Sequence, residues 1–147
     1  MKKFLAIIIS LMLVFSFCTI AFAETTGTTP TPHTYKAYKI FDGIQEGTAT
    51  DLSRVLWGDG INSAAFLAAL KADTTFGDTF DACNTAADVA EILNSGAETS
   101  WADNSANAMH FAELAYRNKA GNGITVTNGQ TNLEAGYYLV VDTLEYL

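Results

Sequence analysis

The chain predicts an α+β fold in which a β-sandwich carries a helical insertion between its early and late strands, and three observations carry that prediction. A strand-like run opens at Thr34, three stretches with helical spacing and recognisable caps fill the middle, and a period of two returns after Gly123. Strands flanking helices, with no internal repeat, fit this order better than alternating strand–helix units.

The first 23 residues stand apart from that fold. Lys2 and Lys3 form a charged start, Phe4 to Ile20 is almost continuously apolar, and Ala21-Phe22-Ala23 has the small-x-small pattern that signal peptidase reads. A secretory signal over 1–23, cut between Ala23 and Glu24, is the expectation, with membrane contact only through this segment before cleavage. An uncleaved anchor is the alternative, because the run is nearly long enough to span a bilayer. Lipidation at Cys18 is disfavoured by the bulk of Phe17 before it. Residues 24–32 hold both prolines of the chain among Thr and Gly, and read as a disordered leader. Residues 33–147 form the expected domain.

Removing the signal takes two lysines and no acid, so eight basic residues become six against sixteen acidic ones and the net charge moves from −8 to −10. Such a surface excludes nucleic acid and anionic lipid as partners, since both need a basic footprint. Only Cys83 of the two cysteines survives cleavage, so no internal disulfide can form in the exported domain.

The elements follow in order. Thr34 to Phe41, T-Y-K-A-Y-K-I-F, is rich in aromatic and β-compatible residues and is closed by Asp42-Gly43, a turn signal. Each face of that strand carries one lysine, Lys36 or Lys39, among apolar groups. Leu52 to Trp57 reads equally as a strand or a helical turn. Asn62 or Ser63 caps a helix with Phe66, Leu67 and Leu70 in its stripe, ending near Lys71. Thr85 with Asp88 three residues on starts a second helix, which Asn94-Ser95-Gly96 stops. A third runs from Asn104 or Ser105 to Asn118, with Ala108, Met109, Ala112, Ala115 and Tyr116 as its apolar stripe. Ile124 to Thr127 alternates as a strand, Asn128-Gly129 signals a turn, and Gly136 to Asp142 is a strand ending in a carboxylate.

Little in this inventory supports turnover chemistry. Asp73, Asp78, Asp81 and Asp88 lack the one-three-five spacing of a calcium loop and read as a solvated acidic face. His33 and His110 are far apart with no partnering motif. Cys83 as nucleophile with His110 as base is the only enzymatic arrangement to weigh, and an inert thiol is the better reading. No enzyme, no cofactor and no metal are expected.

Several stretches in order carry a resemblance: His33 to Gly43, the turn Trp57-Gly58-Asp59-Gly60, Leu67 to Ala72, the helix start Ala87-Asp88-Val89-Ala90, and Leu133 to Thr143. Together they resemble the N-terminal domain of Gram-positive sortase-assembled pilus backbone subunits. The resemblance implies an immunoglobulin-like domain of the collagen-adhesin B type and a pilin joined by sortase to other pilin subunits at the cell wall, with host surface molecules as further partners. It also implies an autocatalytic isopeptide bond between a first-strand lysine and an asparagine. Lys39 matches the lysine position, although relatives often carry glutamine there. Asp142 matches the catalytic carboxylate of a G-x-Y-x-L-x-E-T box in approximate register, with Asp for the more frequent Glu.

A lysine attacks only as the neutral amine, which burial favours, and the same setting raises an acid's pKa so that it can polarise the amide and shuttle a proton. The partner asparagine would lie beyond the box, and the V-Y-P-K type pilin motif, the L-P-x-T-G signal and the C-terminal anchor are absent from this sequence. The domain over 33–147 is therefore expected to be incomplete at its C-terminal end. The plainer reading of the same residues is that Lys36 and Lys39 snorkel while Asp142 guards an edge strand. The rival function is a secreted binding module or adhesin that recognises a carbohydrate or host protein through Trp57, Trp101 and tyrosines.

Overall fold

Aromatic and β-branched residues make the opening run a strand, and it is longer than its sequence suggests: β1 spans Tyr35–Gln45. The computed structural model describes residues 34–45, 52–126 and 133–143. The expected signal (1–23, with Ala23 and Glu24), the leader 24–32, His33 and the Asn128-Gly129 turn lie outside them. Asp42-Gly43 does not end β1. The register shifts between Asp42 and Ile44, so the pair marks a bulge, and the strand continues to face β2 (Leu52–Trp57). Leu52 to Trp57 is thereby a strand, with Leu52 and Val55 buried and Arg54 and Leu56 exposed.

Helix α1 (Ser63–Ala72) starts where the Asn62 side chain accepts the Ala65 N–H at 3.3 Å, and Lys71 sits in its last turn. Helix α2 (Ala86–Ser95) has the expected capping box. The Thr85 hydroxyl accepts the Asp88 N–H at 3.2 Å and the Asp88 carboxylate accepts the Thr85 N–H at 2.8 Å. Helix α3 (Ala106–Arg117) is capped by Ser105, which accepts the Ala108 N–H at 3.1 Å. Its buried side is Phe111, Leu114 and Ala115, so the expected stripe is rotated, and Met109 points outward at 62% exposure. Local spacing placed the helix correctly. The packing surface chose Phe111 over Met109 because the larger ring reaches Phe66 and Phe80.

The late strands β3 (Ile124–Val126) and β4 (Tyr137–Asp142) both return to β1. Tyr35 pairs with Val126 and Asp142, and Phe41 pairs with Trp57 and Tyr137. A residue has only two ladder partners, one on each edge, so β4 has one edge of β1 to itself while β2 and β3 lie end to end along the other. All four described strands form one antiparallel sheet. The architecture is α+β, and a second sheet, which a sandwich requires, is not among the described residues.

The core lies between the sheet and the helices. Rings stack through it in succession: Phe41 on Trp57 at 5.4 Å, Trp57 on Phe66 at 5.9 Å, Phe66 on Phe111 at 5.2 Å. Phe76 and Phe80 join from the segment between α1 and α2, 5.3 Å apart, with Trp101 at 5.4 and 5.7 Å. Tyr137 and Leu139 pack against this cluster. Tyr138, Val140 and Asp142 alternate to the other face of the sheet, with their partners Lys39, Ala37 and Tyr35.

Phe41→Ala should lower stability by about 3–5 kcal/mol, because it empties a site that no neighbour can fill. Leu56→Ala, exposed on the same hairpin, should stay within about 0.5 kcal/mol. Urea midpoints with unchanged slopes check both.

The candidate functional site: a lysine slot between the first and last strands

Lys39 stands opposite Tyr138 in the β1–β4 ladder, one residue before the register shift that lets both Ile40 and Phe41 reach the core. Its backbone is approached by the turn after β2. The Gly58 N–H donates to the Ile40 carbonyl at 2.8 Å and the Gly60 N–H to the Lys39 carbonyl at 2.9 Å. A Cβ on Gly58 would lie 2.3 Å from the Lys39 carbonyl oxygen, and one on Gly60 2.3 Å from the Lys39 nitrogen. The Trp57-Gly58-Asp59-Gly60 stretch thus has a definite task, which is to let a turn press against the lysine's own backbone.

The Lys39 side chain runs into a slot and is 11% exposed. Its Nζ donates to Asp42 Oδ1 and to Glu134 Oε2, each at 3.3 Å, and lies 5.7 Å from the centre of the Tyr138 ring. The Tyr138 hydroxyl in turn donates to the Glu134 carbonyl at 3.0 Å, fixing the turn that supplies the second acid. Desolvation, the largest single influence, pulls the Lys39 pKa down. Tyr138 and the bonds to Glu134 and Asp42 together outweigh it, and the pKa stands above its ordinary 10.5. Burial alone would have favoured the neutral amine. The acids make this lysine a held ammonium.

Asp142 is on the same face of the sheet but opposite Tyr35, four positions along β1 from Lys39, roughly 13 Å at the rise of a strand. The ladder therefore brings Lys39 together with Glu134 and Asp42, and does not bring it to Asp142. Glu134 was legible only as part of the strand's approach, since nothing in its local spacing indicates that it folds back over a lysine far away in sequence. Lys36, on the opposite face, donates from Nζ to Thr125 Oγ1 at 2.7 Å.

The other singled-out residues take structural places. Asp73 is not simply a solvated acid. Its Oδ1 accepts the Thr75 and Phe76 N–H groups at 2.9 and 3.3 Å, and its Oδ2 accepts from His110 Nε2 at 2.8 Å. The hydrogen bond from His110 is the first cause holding its carboxyl below the ordinary 3.8. This clips the end of α1 to α3, whose Glu113 lies 3.7 Å from His110 Nδ1 and pairs with Arg117. Asp88 caps α2, and Asp78 and Asp81 are exposed. Cys83 is buried, and desolvation pushes its thiol pKa up, the opposite of what a nucleophile needs. Trp57 and Trp101 do not form an exposed platform, because both pack into the aromatic cluster. Among the described residues no cluster of His, Cys, Asp or Glu suits a metal ion, and no helix is long and apolar enough to cross a membrane. A cleft of about 150 Å³ between α3 and β4 is lined mainly by apolar groups such as Ala108, Ala112, Ala115 and Leu139, with Asp103, Asn104 and Tyr137 as its polar members.

Two pH limits follow. Lys39 keeps its proton in the folded state after the unfolded chain has lost it at 10.5, and partly buried Tyr137, raised from 10.0 to about 12 by desolvation, does the same. Their stabilisation is full below pH 10 and should be lost as pH rises beyond it. Lys39→Met should remove part of this alkaline sensitivity at a cost within about 1 kcal/mol at neutral pH, since Asp42 and Glu134 can both hydrate. In acid, Asp73 contributes stability above its ordinary 3.8 that is lost as pH falls through its depressed value, and Asp73→Asn should remove that component. Thermal melts across pH read all three. Comparison of the chain with protein-family models, curated proteins and solved structures finds no match in any of them.

Proposed function

We propose that this chain is a structural subunit of a cell-surface pilus or fimbria, exported through its N-terminal signal and, in a full-length form, polymerised covalently by sortase with other pilin subunits. The observation that carries the reading is the pairing of β1 with β4. The two stretches that bear most of the resemblance, one at each end of the domain, lie side by side over six register positions. A domain without a disulfide that must survive outside the cell gains most from tying its first strand to its last, because that contact closes the longest loop.

The finer architecture we propose is an immunoglobulin-like sandwich. The sheet face turned from the helices carries Tyr35, Ala37, Tyr138 and Val140 together with the charged Lys39 and Asp142, and a second layer would pack on its apolar part. The Lys–Asn bond belongs to the same proposal, with Lys39 as nucleophile and Asp142 as carboxylate, a pairing that requires β4 to shift along β1 by about the four positions that separate them here. The amine nitrogen attacks the asparagine side-chain carbonyl, an amide forms, and ammonia leaves. With Glu134 and Asp42 holding Lys39 as an ammonium, the bond requires an asparagine-bearing strand that displaces Glu134 from the amine.

Antibody against residues 34–143 should detect an SDS-resistant ladder of high mass in the cell-wall fraction of the source cells. A single monomer band in the culture medium overturns the pilus reading. Intact mass separates the cross-link from the fold. Residues 24–147 should show the unmodified mass, while a chain extended by an asparagine-bearing strand should lose one ammonia, about 17 Da for an amide formed by that displacement.

A further inference from the structure

We propose that β4 is a releasable strap, latched between Thr34 and Thr143 at one end of its ladder with β1, and that it peels from β1 one residue pair at a time when drawn from that end. The latch is a single acceptor. The carbonyl oxygen of Thr34 takes the N–H of Thr143 at 2.9 Å and the Thr143 hydroxyl at 2.7 Å. Behind it the pairs run in order from Tyr35–Asp142 to Phe41–Tyr137. Since the strands are antiparallel, Thr34 and Thr143 sit side by side, about 5 Å apart at the spacing of a sheet. Tension entering there acts across the ladder and loads its hydrogen bonds singly, whereas tension along the strands loads all of them together.

Release of β4 leaves the other three described strands paired with one another through β1. Among the described residues β4 pairs with β1 alone, while β2 and β3 hold the other edge of β1. The ring succession from Trp57 through Phe66 to Phe111 contains no residue of β4, which meets it only where Tyr137 lies 5.7 Å from Phe41. Tyr137 and Leu139 are the strap's share of the core, so its release removes an edge of the core and not its centre. Peeling reaches Lys39 late. The lysine is covered by Glu134 and Tyr138, at the far end of the ladder from the latch, so its ammonium is uncovered only after four pairs have opened.

The inference does not rest on the pilus reading, and absence of a cell-wall ladder would leave it untouched. Single-molecule pulling on the chain 24–147 tests it, with thiol handles at His33→Cys and Leu144→Cys, just outside the latch, against handles at Gln45→Cys and Leu144→Cys. Buried Cys83 does not compete for the handles. The first pair should open at about half the force of the second or less, with an initial extension of about 60 Å for the 17 residues that follow Val126 up to Thr143. Thr143→Val deletes the hydroxyl and keeps the strand. It should lower the force only in the first geometry and speed amide exchange at 141–143 about two- to tenfold. Equal forces in the two geometries, a single step for the whole body, or β4 amides exchanging only as slowly as those of Val55 and Ile61 would each overturn the proposal.

Discussion

The backbone of Phe41 is paired on both edges, with Trp57 on one side and Tyr137 on the other, and its ring stacks on Trp57 at 5.4 Å and meets Tyr137 at a tilt at 5.7 Å. The alignment of the sheet depends on this crossing. It fixes the register of the hairpin and of the last strand in one residue, and it points three aromatic rings at the helices. A fully buried ring contributes a few kcal/mol by area alone, and stacked rings add to that. The same side chain thus stabilises the core and specifies which strands meet.

Placing Phe41 and its neighbour Ile40 both in the core costs the ladder its regularity, and the shift between Lys39 and Phe41 is where that cost falls. Lys39 is the last residue before the shift. It is left with its stem against the Gly58–Gly60 turn and its charge under the approach to β4. The slot follows from the crossing. A strand that must put two successive residues inward leaves the preceding one in a tight place, and two acids keep it charged there.

The helices are fixed in two ways of different reach. Each begins at a local cap, at Asn62, Thr85 or Ser105, and each is then held by contacts from far away in the chain. The Asp73–His110 bond joins the end of α1 to the middle of α3 while Asp73 also orders the turn that carries Phe76 inward. An acidic chain with few bases places them economically. Lys39, Lys71 and Arg117 each lie beside a carboxylate or a helix end.

How much of this was legible depends on the range of the interaction that decides it. Read along the chain, the three helices with their caps, the strand character of the first and last runs, and the α+β class are already visible. These rest on hydrogen bonds within four residues and on side-chain period, which a linear chain displays directly. Strand pairing in the folded chain made Asp42-Gly43 a bulge and not a turn, because the partner strand β2 continues past it. Tertiary packing decided that Phe76 and Phe80, in a segment that reads as acidic and exposed, complete the core, and that Met109 does not. It also decided that Lys39 meets Glu134 and lies four positions from the partner of Asp142. Period two shows which residues share a face of a strand but not how far the opposing strand has slid. That register is set by the crossing at Phe41, which exists only when both ends of the chain have come together.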